Sequence, residues 1–307
     1  MRGMTVSCPM YGAIWGSPEM AKTLDDLQGL GVTWVSIHPY AGVRRDGTIR
    51  VRETAAETGY LQRAAEMSRS AGVELFWKPH LAYWGSFEWR GDIEFQGDQE
   101  AWERFFKGYR DFIVDHARFA ESAGVPLFAV GTELEATTHH EEIWREIVAE
   151  IRKVYSGKLT YAANWDRVDR VTFWDALDFI GVQAYFPLSH DPYPGRDAIN
   201  AAWDSHIVNI REYSARMGKP ILFTEIGYDM AESAAREPWE TASRDTPANR
   251  ELRRRLMAIA LERIEAEPSI HGLFWWKWIP GQRSPRDFAM QNQEARDVLR
   301  EYWNTAE

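Results

Sequence analysis

Five segments of the chain share one layout: LGVTWVSI, AGVELFWK, AGVPLFAV, SGKLTYAA and MGKPILFT. Each leaves an amphipathic stretch, passes a glycine (Gly31, Gly72, Gly124, Gly157 or Gly218) and runs into a short β-rich segment. A glycine at that point suits the left-handed residue that closes a helix. The alternation extends over the whole sequence. Strands are predicted near 5–11, 32–38, 73–79, 127–131, 159–164, 179–185, 221–225 and 272–276. Helices are predicted near 20–30, 58–70, 99–122, 141–155, 201–217, 248–266 and 294–303, with only a short, weakly helical connection near 171–177. Eight strand-then-connection units predict a (β/α)8 TIM barrel. An open doubly wound sheet would need a switch point, and no G-x-G-x-x-G marks one. No linker or composition shift interrupts the pattern, so one domain over 1–307 is expected.

Composition narrows the function. The chain has 307 residues, 45% of them hydrophobic, enough for a large core. Its net charge of −10 and the lack of a basic stripe argue against a nucleic-acid partner. No run of 18 apolar residues is present, so no transmembrane helix is expected. One cysteine, Cys8, allows no intramolecular disulfide. The N-terminal stretch has no signal-peptide core, which leaves a cytoplasmic location, or a secreted or periplasmic one if a leader has been removed. A monomer is expected. Fifteen tryptophans are a heavy load; they either fill a large core or in part line a groove, where flat apolar faces suit sugar rings or other planar ligands.

The C-terminal ends of barrel strands face the active site. Read in order, those ends present His38, then Lys78 and His80, Glu133, Asn164 and Asp166, Gln183 and Tyr185, Glu225, and Trp276 with Trp278. Two apolar runs end in Thr-Glu pairs, Thr132-Glu133 and Thr224-Glu225. A carboxylate at the tip of a buried strand is costly without a function, and a pair across a barrel mouth fits glycoside hydrolysis. One carboxyl would stay protonated and the other ionised. A separation of about 5–5.5 Å would mean retention and about 6.5–9.5 Å inversion. Alternation puts Phe274, Trp276 and Trp278 on one face. Trp15 and Trp84 are further groove candidates, Trp89 and Arg90 a distal wall. Glu135 reads as a loop residue past the strand end. His139-His140-Glu141 fails the H-E-x-x-H metal pattern and reads as a solvated first helical turn. Neither a metal nor a cofactor is required.

The segments WVSIHPY, WKPHL, VGTELEATT, LTYAANWD, FWDALDFIGVQAYFPL, KPILFTEIGY and GLFWWKW together resemble the clan A retaining glycosidases, and most closely glycoside hydrolase family 113. Characterised members of that family are β-mannanases. The resemblance implies Glu133 as acid/base and Glu225 as nucleophile. It implies Tyr185 as hydrogen-bond support that keeps the nucleophile ionised, and Trp276 as the floor under the reacting sugar. Many clan members carry Asn before the acid/base, to hold the sugar 2-hydroxyl. Thr132 stands there in this chain and reaches less far, so His80 or Asn164 is expected to make that contact. The expected activity is that of an endo-β-1,4-mannanase on mannan or manno-oligosaccharides. The alternatives are a transglycosidase, a glycosidase for another β-linked glycan, and a binding barrel without catalysis.

Overall fold

The computed structural model describes residues 1–8, 12–282 and 287–304. Eleven strands alternate with seven α-helices. The strands are β1 (Arg2–Val6), β2 (Trp34–Ile37), β3 (Tyr40–Val43), β4 (Ile49–Arg50), β5 (Glu74–Trp77), β6 (His80–Ala82), β7 (Leu127–Thr132), β8 (Lys158–Asn164), β9 (Phe179–Gln183), β10 (Ile221–Ile226) and β11 (Ile270–Trp278). The helices are α1 (Pro18–Gln28), α2 (Gly59–Ser70), α3 (Gln99–Ser122), α4 (Glu141–Arg152), α5 (Arg196–Met217), α6 (Pro247–Glu265) and α7 (Gln293–Trp303). Eight strands close in the order β1-β11-β10-β9-β8-β7-β5-β2, all parallel. This is the expected (β/α)8 barrel.

Two apolar layers hold it. Inside the barrel, Phe76, Leu127, Ala129, Phe179, Leu222 and Phe274 form a plug. Gly3 is required there, because a Cβ would come within 2.4 Å of the Phe274 ring. Outside, the strands bury a second face against the helices, with Trp77, Trp144, Trp174 and Trp203 fully covered. Most of the tryptophan excess is therefore core. The helix ends follow their sequence signals. Asp98 caps α3 by accepting from Ala101 N at 2.9 Å, and Thr246 caps α6 by accepting from Asn249 N at 3.1 Å.

Some boundaries depart from expectation. The first strand starts three residues earlier than predicted and ends at Val6, and its predicted last residues, 9–11, lie outside the described residues. Gly31, Gly72, Gly124 and Gly218 are left-handed, as the joints require. Gly157 is not. Its smallness answers the Tyr155 phenol, which a Cβ would meet at 2.3 Å. The fifth connection carries two 3-10 turns, Val168–Arg170 and Trp174–Ala176, in place of a helix. A feature absent from the sequence reading is a small outer sheet, β4-β3-β6, built from the stretches that follow Pro39 and Pro79. It continues two barrel strands upward and raises one wall of the mouth. No described helix is long and apolar enough to cross a membrane.

Candidate active site

The strand ends and the loops after them enclose a groove of about 840 Å³. Glu133, Glu225, Tyr185, His80, Asn164, Asp166, Trp276 and Trp84 all border it. Thr132, Trp15 and Trp278, also expected to contact sugar, do not, nor do the strand-end residues His38, Lys78 and Gln183. Thr132 is buried below the groove, and its hydroxyl has no hydrogen-bond partner. Trp15 is fully buried, donates its indole N–H to Val6 O at 2.8 Å and packs edge-on against His38. Trp278 is buried under the Arg296 guanidinium. Simple alternation fails at Trp278 because the β1–β11 ladder slips: Thr5 pairs with Trp276, but Val6 pairs with Trp278.

The two carboxylates have different surroundings. Glu225, on β10, is nearly fully buried and accepts from two donors. Lys78 Nζ forms an ion pair with Oε1, and the Tyr185 hydroxyl donates to Oε2 at 3.0 Å. Lys78 follows β5, is fully buried and also donates to Thr224 O at 3.2 Å. Burial pulls its pKa below the usual lysine value, and the two glutamates oppose this.

Glu133 sits just past β7 with φ 52, a left-handed conformation uncommon for any residue with a Cβ. Its own N–H donates to Ala162 O at 2.9 Å, which ties the strained residue to β8. Gln183 Nε2 donates to its Oε1 at 3.3 Å, and Arg90 Nε lies 3.6 Å from Oε2. Burial raises the Glu133 pKa above the ordinary carboxylate value. Arg90 opposes that rise, the Glu225 charge adds to it, and Gln183 and Lys78 oppose it further. Thr224 links the two halves: its hydroxyl donates to Gln183 Oε1 at 2.8 Å, which turns the Gln183 amide toward Glu133.

Under the groove, His38 and His80 stack with centroids 5.0 Å apart, and His38 lies 5.5 Å from the Trp276 ring. Arg90 Nη1 donates to His80 Nδ1 at 2.8 Å. Burial, with Lys78 and Arg90 nearby, holds both imidazoles well below their usual pKa, so they are neutral. Trp89 and Arg90 both border the groove, but Arg90 is more than a wall. It belongs to the carboxylate cluster, and no sequence spacing reveals this, because it comes from a loop. Lys78 is likewise legible only as a strand-end residue. Trp239 and Thr241, on the loop after β10, also border the groove, and Trp84 and Trp239 stand exposed on its rim (64% and 50%). Glu135 accepts from Arg167 and Arg170 away from the groove, as a loop residue would. His140 is not merely solvated, since its ring packs 4.4 Å from the centroid of Trp102. Among the described residues no group of three or more His, Cys, Asp or Glu could hold a metal ion.

The family model of Glycoside Hydrolase Family 113 matches residues 4–296. The chain belongs to glycoside hydrolase family 113. It is therefore a glycosidase with a carbohydrate substrate. Solved structures agree. A family 113 β-mannanase from Alicyclobacillus acidocaldarius, in complex with ManMIm, is 25% identical, with a TM-score of 0.84 over 100% of this chain and 98% of that one. A second family 113 β-1,4-mannanase, in a complex, is 20% identical, with a TM-score of 0.87 over 100% and 99%. A family 5 mannosidase from Rhizomucor miehei shares the fold at 13% identity and a TM-score of 0.70, over 99% and 92%. A search of curated proteins gives no match.

Proposed function

We propose that the protein hydrolyses β-1,4-linked mannan or manno-oligosaccharides with retention of anomeric configuration, with Glu225 as nucleophile and Glu133 as acid/base. The observation that carries this reading is the contrast between two carboxylates in one groove. Glu225 faces an ammonium and a phenol, both donors, so both its oxygens serve as acceptors. Glu133 is only partly exposed to the groove, and desolvation raises its pKa. Such a pair divides the roles of nucleophile and acid. Family membership and the mannanases among the similar structures support mannan as the substrate.

In the first step a Glu225 oxygen attacks the anomeric carbon. The glycosidic C–O bond breaks, and the Glu133 proton goes to the departing oxygen. A glycosyl ester on Glu225 remains. Forming that ester removes the Glu225 charge, one cause of the raised Glu133 pKa, so that pKa falls and Glu133, having given up its proton, stays ionised and can act as the base. It then takes a proton from water, the water oxygen bonds to the anomeric carbon, and the ester bond breaks. Trp276 offers the apolar floor for the reacting sugar, and Asn164 and His80 offer polar contacts to it.

The test is product release from β-mannan, glucomannan, cellulose, xylan and β-1,3-glucan, with Glu133→Ala and Glu225→Ala beside the wild type. Activity confined to mannans, reduced at least 10³-fold in both variants, is expected (roughly 4 kcal/mol or more of transition-state stabilisation). Azide is expected to restore turnover in Glu225→Ala with inverted product. Wild-type rates in either variant would overturn that residue's assignment.

A further inference from the structure

Three cations lie in or directly under the groove, and two of them pair with its glutamates. Lys78 pairs with Glu225, and Arg90 lies against Glu133 and His80. The third, Lys277, is half-buried on the groove wall. Among the described residues no carboxylate lies within ion-pair distance of its ammonium; Asp287, Glu225 and Asp229 act on it only at longer range. It leans on the Trp276 indole, 5.2 Å from the ring centroid.

The backbone holds this side chain in place. Lys277 N donates to Phe288 O at 3.3 Å, and Met290 N donates to Lys277 O at 3.0 Å. The slip in the β1–β11 ladder leaves Lys277 without a partner residue on β1, and both Trp276 and Lys277 border the groove. Glu225 acts on the ammonium only at longer range, its oxygens taking their close donors from Lys78 and Tyr185. The ammonium is open to the groove, where a ligand hydroxyl can replace solvent as its acceptor. A pyranose lying on Trp276 carries hydroxyls on its ring carbons, and the Lys277 ammonium, 5.2 Å from the centroid of the Trp276 ring, is a donor beside it.

We propose that Lys277 is a substrate-specificity residue whose ammonium donates to a hydroxyl of the sugar seated on Trp276. This rests on the reading of the groove as a glycosidase cleft. It implies that the enzyme discriminates among β-linked glycans partly by where a hydroxyl stands relative to this ammonium.

The experiment is calorimetric titration of mannotetraose into Glu133→Gln and into Glu133→Gln/Lys277→Met, together with kcat and KM for Lys277→Met on mannan. The double variant is expected to bind roughly ten- to a hundred-fold more weakly. KM should rise by a similar factor, and kcat and the melting temperature should change little. A series of mono-deoxy oligosaccharides separates recognition from packing. The Lys277→Met penalty is expected to vanish for the one analogue that lacks the contacted hydroxyl. Equal affinity of the two proteins, or the same penalty for every analogue, would overturn the assignment. If Lys277→Met does not fold, Lys277→Gln keeps one donor, and an intermediate loss is expected; wild-type affinity there would also overturn it. Absence of mannotetraose binding by Glu133→Gln would overturn the mannan reading of the groove, whereas binding that is indifferent to Lys277 overturns only this inference.

Discussion

Two cations and one amide oppose the raised pKa of Glu133. Four groups from four parts of the chain face it: Arg90 from the loop after β6, Lys78 from the end of β5, Gln183 from β9 and Glu225 from β10. Arg90 is the strongest opponent of the raised pKa. Its removal therefore raises the Glu133 pKa further. In Arg90→Met the alkaline limb of the kcat/KM pH profile is expected to move to higher pH, with kcat reduced. A limb that stays in place, or moves down, would show that Arg90 does not act on Glu133. The two glutamates were legible in the sequence because each ends an apolar run that has no other use for a charge. Their partners were not. Lys78 sits before a proline and Arg90 in a loop, and only barrel closure carries them to carboxylates 147 residues away in one case and 43 in the other (225−78 and 133−90). The tryptophans misled for a similar reason. Trp15 and Trp278 lie close in sequence to groove residues, but a 3-10 turn and a ladder slip turn them into the core.

At the level of elements, one buried side chain ties two loops of the mouth together. Asp229, directly beyond β10, accepts from Met230 N at 2.8 Å, Ala242 N at 2.9 Å, Phe288 N at 3.1 Å and the Ser243 hydroxyl. Ser243 in turn accepts from Asp287 N at 2.9 Å. Arg253 of α6 completes the clamp by donating to Phe288 O and Ala289 O at 2.8 and 2.9 Å. The clamp fixes Phe288, which has φ 68, borders the groove and packs edge-on against Tyr185. Asp229→Ala leaves several buried donors unmatched and is expected to cost about 2–4 kcal/mol. A urea midpoint would record that loss, and faster tryptic cleavage at Arg236 or Arg244 would place it in the loop. Unchanged values on both measures would show that the loops hold without the clamp. The barrel strands and helices could be read in advance because each obeys a local period. The β4-β3-β6 sheet could not, since its strands are two to four residues long and exist only through pairing with one another.

For the molecule as a whole, acid is the vulnerable direction. His38, His80 and His116 are buried and neutral, and burial takes His116 down to about 3, with its Nδ1 accepting from Trp77 Nε1 at 3.1 Å. A depressed folded-state pKa means that the unfolded chain binds the extra proton first. The stabilising contribution is intact above the unfolded value of 6.5 and is lost as pH falls toward 3. For His116 alone the slope approaches roughly 1.4 kcal/mol per pH unit within that window. Denaturant midpoints between pH 7 and pH 4.5 are expected to fall steeply, and His116→Gln, which keeps an acceptor for Trp77, should flatten the fall. An equal slope in the variant would place the acid sensitivity elsewhere. The closed barrel carries one more consequence, for the way the protein is made. Strand β1 pairs with β11 on one side, Arg2 opposite Leu273, so one edge of the earliest strand waits for residues synthesised about 270 positions later. At roughly 5–20 residues per second the growing chain exposes that open edge for about 15–50 s. During that interval a ribosome-bound half-barrel is a target for chaperones and for strand exchange, and the speed of translation sets how long the hazard lasts.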